Sequence, residues 1–299
     1  MNIVEWSLLA GVLTATAPVL LAALGGLICQ VAGVFNIALE GQLLWGAFTA
    51  VVVSDLTGSA WAGVLGAITA TLLFAGLLSV ASVSLRADPI VVAVGLNLLA
   101  LGLTAFLMRQ IFGVGGTYSS PDLAGLPTLA ELGLDLPVVG PQSPLVPVAL
   151  ALVAAAAWWL GRTRSGLRVR AVGQHREAAE AVGLRVGGYQ HGATLVAGGL
   201  CGLAGAQLAL GNVTLFSEGM SAGRGWIAVV AVMLSGVRPG RLLLACLLFG
   251  VAEAIGFRLQ GVGLPQQAAD AAPYVITLVA LVLAAVAGRK RRGNEGEAL

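Results

Sequence analysis

The sequence predicts an all-α fold, a polytopic transmembrane helix bundle, on three observations. Only 10% of its 299 residues are charged and 58% are hydrophobic, where soluble domains carry about 25% charged residues. Mean hydropathy is +0.94. The apolar residues gather in runs of about 20, the length a helix needs to cross a ~30 Å hydrocarbon core. About nine runs (eight to ten) qualify on that measure, at 7–29, 36–54, 59–81, 89–112, 144–161, 191–211, 222–237, 240–257 and 273–288. They form one transmembrane domain over 1–288, followed by a basic, polar tail at 289–299.

The first run reads as a retained span. No Lys or Arg precedes it, as one would in a signal peptide, and Cys29 follows Ile28 rather than the small residue that lipoprotein processing needs. The second run is interrupted by Asn36, Glu40 and Gln42, and the fourth holds Asn97 in mid-helix between Gly95 and Gly102. Loop 113–143 is rich in Pro and Gly and carries Asp122, Glu131 and Asp135 with no basic residue; connections of that length are usually functional or mobile. Trp6, Trp61, Trp158 and Trp159 fall at span ends and read as interfacial anchors. Gly198 and Gly202 in the sixth run have the GxxxG spacing of close helix packing. The seventh run is short, with 225–236 making about 18 Å of helix. It crosses only with help from Gly219-Met220-Ser221-Ala222-Gly223.

Orientation follows from the basic residues, which gather in cytoplasmic loops. Arg86, the six arginines of 161–190, Arg238 and Arg241, and Arg289-Lys290-Arg291-Arg292 all fall on one side if nine spans alternate. Loop 113–143 falls on the other. The N-terminus is therefore expected outside, with segment 162–190 and the C-terminus in the cytoplasm.

Several functions are disfavoured. A net charge of +2 offers no concentrated basic face for nucleic acid. Cys29, Cys201 and Cys246 lie in apolar runs without a CxxC pair and read as small buried hydrophobes, and His175 and His191 are not spaced as metal ligands. The only lysine, Lys290, lies in the tail, so there is no GxxxxGK phosphate loop; the chain is read as no enzyme and as binding no cofactor. Residues 219–223 match GxSxG, but that motif needs a strand-to-helix turn with a histidine in reach. Both histidines lie near 162–190, so the match reads as a Gly-rich helix break.

Polar groups inside lipid are costly and usually face a cavity or one another. Asn36, Glu40, Gln42, Asn97 and Ser221 are the candidates for a substrate pathway, with Trp45 and Trp226 as aromatic faces for a planar ligand. Interhelical hydrogen bonding and packing are the structural alternatives. Glu253, five residues before Arg258, reads as an ion-pair partner or as interfacial. Glu40-Gly41 and Glu218-Gly219 echo one another ahead of Gly-interrupted runs, the kind of pairing found in transporters built from repeats.

Segment 161–190 is the one cationic island, and Glu177-Ala178-Ala179-Glu180-Ala181-Val182-Gly183 lies within it. Two alanines give a small helical surface, and Gly183 ends the helix at low cost. This resembles the EAA-x3-G coupling helix of ABC importer permeases, without the Ile-x-Leu-Pro continuation many of them carry. Gly33-Val34-Phe35-Asn36-Ile37-Ala38-Leu39-Glu40-Gly41, Ala87-Asp88-Pro89-Ile90-Val91, Gly166-Leu167-Arg168-Val169-Arg170-Ala171-Val172-Gly173, 219–228 and 272–277 resemble, in order, segments of the simple-sugar and purine-nucleoside permeases. The resemblance implies a pore subunit for nucleosides, or for a simple sugar such as a pentose. It further implies a second permease subunit, a cytoplasmic ATPase that binds ATP and Mg, and an extracytoplasmic substrate-binding lipoprotein. Arg170, Glu177, Ala178, Ala179 and Gly183 would take up the ATPase stroke. An ion-coupled secondary transporter is the rival reading, with Glu40 and Glu253 as its carboxylates.

Overall fold

The computed structural model describes residues 3–260 apart from 122 and 135. The expected ninth span, the match at 272–277 and the tail lie outside the described residues. The helices are α1 (Ile3–Val31), α2 (Leu39–Thr57), α3 (Ala60–Ser79), α4 (Pro89–Phe112), α5 (Leu145–Arg162), α6 (Arg164–Gln174), α7 (Arg176–Ala181), α8 (Val186–Ala206), α9 (Arg224–Ser235) and α10 (Pro239–Gln260). π-Helical turns at Val80–Ser84 and Gln207–Asn212 extend α3 and α8. Among the described residues, α1, α3, α4, α5, α8 and α10 are long and apolar enough to cross a membrane. Of the described runs, the second and seventh fall short: α2 has 19 residues but carries Glu40, Gln42 and Asp55, and α9 has only 12 residues.

α1 is the central pillar, with Leu20, Leu21, Leu24 and Leu27 almost fully buried. A helix apolar all round belongs in an interior. Pro18 lies inside it and, lacking an N–H, leaves the carbonyl of Thr14 without its helical donor. The side-chain amide of Asn212 supplies the missing bond at 3.4 Å. α1 and α8 run antiparallel: Asn212, past the end of α8, meets Thr14, and Gln190 near the start of α8 donates to Ala32 O at 3.4 Å. The GxxxG glycines set α8 on α3, where a Cβ on Gly202 would stand 2.7 Å from the Ala67 carbonyl. α4 starts on an Asp-Pro cap, with Asp88 Oδ1 accepting from the Ile90 and Val91 N–H groups at 2.8 and 3.2 Å.

Two helix pairs have opposite polarity. α1 runs to the arginine-rich end, where 33–38 turns back as non-helical chain and leads into α2. α8 runs to the other end, where 213–223 turns back and leads into α9. Both second helices begin inside the bundle, and their N-termini meet. The Glu218 echo seen in the sequence is not this correspondence, since its carboxylate accepts from Gly116 N–H at 3.2 Å instead.

Loop 113–143, expected to be functional or mobile, lies folded on one end of the bundle. Strand β1 (Thr117–Tyr118) pairs antiparallel with β2 (Phe216–Ser217), and Tyr118 donates to Asp55 Oδ1 at 2.8 Å. Leu123, Leu126 and Leu129 of the loop are buried. The Leu126 N–H donates to the Leu210 carbonyl at 2.9 Å, and Ser54 Oγ donates to the Ala124 carbonyl at 2.8 Å.

Candidate functional site

The meeting point of α2 and α9 is built around Glu40, in the first turn of α2. The first N–H groups of a helix have no partner within it, and no water is available inside a bilayer to supply one. Glu40 does so for α9: Oε1 accepts from Gly223 N–H at 2.9 Å and from Ser221 Oγ at 2.6 Å, and Oε2 accepts from Gly225 N–H at 2.7 Å. The carboxylate also faces the positive end of the α9 dipole. Gly225 lies against the Glu40 backbone so closely that a Cβ there would overlap it.

Asn97 does the corresponding work for α2. Its Oδ1 accepts from Gly41 N–H at 2.8 Å and its Nδ2 donates to the Ile37 carbonyl at 3.1 Å. Asn97 is about 12 Å of helix from Pro89 and α9 is about 18 Å long, so the junction lies deep in the bundle. Asn36 closes the turn before α2, its Oδ1 accepting from Ala38 N–H at 2.9 Å.

A cavity of about 330 Å³ opens beside this junction, lined by Glu40, Gly41, Asn97, Ser221 and Trp226 with leucine and valine side chains from α2 and α4. Trp226 is 44% exposed. Asn36, Gln42 and Trp45 lie outside that lining: Asn36 and Gln42 are buried, and Trp45 stacks on Phe74 at a centroid distance of 5.7 Å. The cavity is therefore mostly apolar, with a few convergent polar groups. Ser221 donates to Glu40, and His191 sits elsewhere, between Ser79 and Ser84.

Arg224 was absent from the sequence-derived site. It opens α9, pairs through Nε with Glu253 Oε1 at 3.1 Å, and donates from Nη1 to the Met220 carbonyl at 3.1 Å. Segment 219–225 is thus held by Glu40 on one side and by Glu253 on the other. An arginine inside an apolar run was the available signal. Glu253 pairs with Arg224, while Arg258 bonds Ser7 at 2.7 Å.

At the arginine-rich end, α7 ends in a Schellman motif. Gly183 at φ +80° donates to the Glu180 carbonyl and Leu184 to the Ala179 carbonyl, both at 3.0 Å. Ala179 faces inward onto Val172 and Val186, so Glu177 and Ala178 form the outer surface. α6 is fixed at both ends by glycines: Gly166 lies on the Trp159 carbonyl and Gly173 on the Val31 carbonyl, with no room for a Cβ at either. Arg170 Nη1 donates to the Leu160 carbonyl at 3.2 Å.

Residues 8–286 match the family described as branched-chain amino acid transport system / permease component. The chain is 36% identical to a putative glucose ABC transporter permease protein of Haloferax volcanii over 86% of this chain and 80% of that one. It is 33% identical to the guanosine ABC transporter permease protein NupQ of Bacillus subtilis, over 89% and 88%, and to the nucleoside ABC transporter permease protein NupC of Lactococcus lactis, over 92% and 91%. Haloferax volcanii and Bacillus subtilis each supply a second, more distant match that is again a permease protein named for the same substrate. No solved structure matches the chain. Six membrane-length apolar helices among the described residues and a match across most of its length make this a multi-pass membrane protein of the branched-chain amino acid transport system / permease component family.

Proposed function

We propose that this chain is one of two permease subunits of an ABC importer that takes up nucleosides by alternating access. The observation that carries the reading is the mostly apolar cavity at the junction of two helix N-termini, with Trp226 exposed into it. A bare sugar needs a hydrogen-bond partner for every hydroxyl it buries, yet Glu40 already accepts three bonds and Asn97 is engaged at both ends. A nucleoside suits the site better, because its flat base rests on Trp226 and only its ribose hydroxyls draw on what the junction leaves free, the fourth lone-pair position of the Glu40 carboxylate and the accepting side of Ser221 Oγ. The glucose-named relative keeps a sugar as the second reading. Ion coupling is disfavoured because Glu40 caps α9 and Glu253 pairs with Arg224.

In this reading the chain spans the membrane about nine times, with its N-terminus outside and the arginine-rich end in the cytoplasm. The folded loop 113–143 meets an extracytoplasmic binding lipoprotein. A separate ATPase, carrying ATP and Mg, docks on α7 and drives α6. The two permease-named chains in each of two organisms support a paired pore. The coupling claim has a direct test, since all three native cysteines are buried. A cysteine placed at exposed Ala178 is expected to cross-link to the ATPase, with a yield that changes between nucleotide-free and ATP-bound states. A cysteine at inward-facing Ala179 is expected to react far less. No cross-link from Ala178 in either state would remove α7 as the contact.

A further inference from the structure

A second cavity, about 630 Å³, opens at the arginine-rich end between the C-terminus of α1, the last turns of α5, α6, and the turn joining α9 to α10. Its lining includes Arg170 and Arg238 and no carboxylate. Arg238 makes no ion pair among the described residues. Gln30, also in the lining, has a buried side-chain oxygen with no hydrogen-bond partner. The two ends of an amide are distinguished only by their bonding partners, so the same group can present its NH2 to an acceptor. The turn at one edge is strained, with Val237 at φ +65°. A β-branched residue there is an outlier, and such positions cluster at ligand clamps.

Two further observations select the kind of anion. Trp158, on the same stretch of α5 as the lining residue Leu160, is 63% exposed. Tryptophans at span ends mark the headgroup level. The lining is also divided, with Val31, Leu160 and Val237 accompanying the two guanidinium groups. Basic pockets between transmembrane helices suit anionic lipid headgroups. We propose that this cavity binds the phosphate of one anionic phospholipid, with Arg170 and Arg238 as its cationic contacts and its glycerol region on the apolar side. A free phosphate shares the charge but has no use for the apolar half or for the interfacial level. The bound lipid would join α6 to the α9–α10 turn, and through α9 to the junction at Glu40.

The test is native mass spectrometry of the full-length protein released from detergent, with phosphatidylglycerol, phosphatidylcholine or inorganic phosphate added. One phosphatidylglycerol per chain is expected to be retained in preference to phosphatidylcholine, and millimolar phosphate is expected not to displace it. Arg238→Ala should weaken retention about fivefold, the scale of one arginine at an anionic lipid surface, and Arg238→Lys should keep most of it. Arg185→Ala, an exposed charge at the same end of the bundle and outside the lining, should leave retention unchanged. Should the Arg238→Ala chain fail to fold, Arg238→Gln carries the same expectation. Equal retention of the two lipids, equal loss in the Arg185→Ala chain, or displacement by phosphate would each overturn the assignment.

Discussion

Replacing Glu40 by alanine is expected to lower uptake at least tenfold and to destabilise the chain by about 3 kcal/mol, since each buried donor left unpaired costs roughly 1–3 kcal/mol. Three donors lose their acceptor: Ser221 Oγ and the N–H groups of Gly223 and Gly225. The hydroxyl can rotate toward another carbonyl, but the two amides are fixed by the start of α9. Glu40→Gln is the more informative variant. It keeps one accepting oxygen, but its NH2 would face a backbone N–H, so intermediate stability with reduced uptake is expected. Thermal unfolding in detergent beside uptake in vesicles separates the two roles of this carboxylate. Reduced uptake at unchanged stability would make Glu40 a substrate contact without a capping role, and normal uptake would remove it from the site.

The second large effect is expected at Arg224 and Glu253, whose side chains are 18% and 13% exposed. Removing one member of a buried pair leaves an uncompensated charge and typically costs about 3–5 kcal/mol, whereas replacing both by apolar side chains is often neutral. Arg224→Ala and Glu253→Ala should therefore each be severely destabilised, and Arg224→Met combined with Glu253→Leu should be more stable than either. Arg224→Ala should be the worse of the two, because it also releases the Met220 carbonyl and with it segment 219–225. A double-mutant cycle on unfolding temperature measures the coupling. Additive single effects would mean that the pair holds nothing in place.

How much of this was legible in the sequence depended on how local each cause is. Asp88-Pro89 announced the start of α4, and Gly183 announced the end of α7, because caps act within a few residues. The start of α2 was hidden. Val34, Phe35 and Ile37 continue the apolar run, and the break is fixed by Asn97, whose bond to Gly41 crosses 56 positions. Glu40, Gln42 and Trp45 were grouped by chemistry, but helical spacing puts Glu40, Gly41 and Leu44 on the cavity side while Gln42 and Trp45 turn away. Ala178 and Ala179 are chemically alike, and α7 has six residues, too few for periodicity to say which faces inward. Arg224 and Glu253 lie 29 positions apart, a pairing that only the packing of α9 on α10 creates.

The junction cavity is proposed to be a nucleoside site served by a separate ATPase. Uptake of radiolabelled guanosine into proteoliposomes holding this chain with the proposed second permease, ATPase and binding protein tests that most directly. The expected result is accumulation that requires ATP, that excess ribose or glucose does not suppress, and that Trp226→Ala lowers about fivefold through loss of the aromatic face. Accumulation without ATP, or uptake of glucose in place of guanosine, would contradict it.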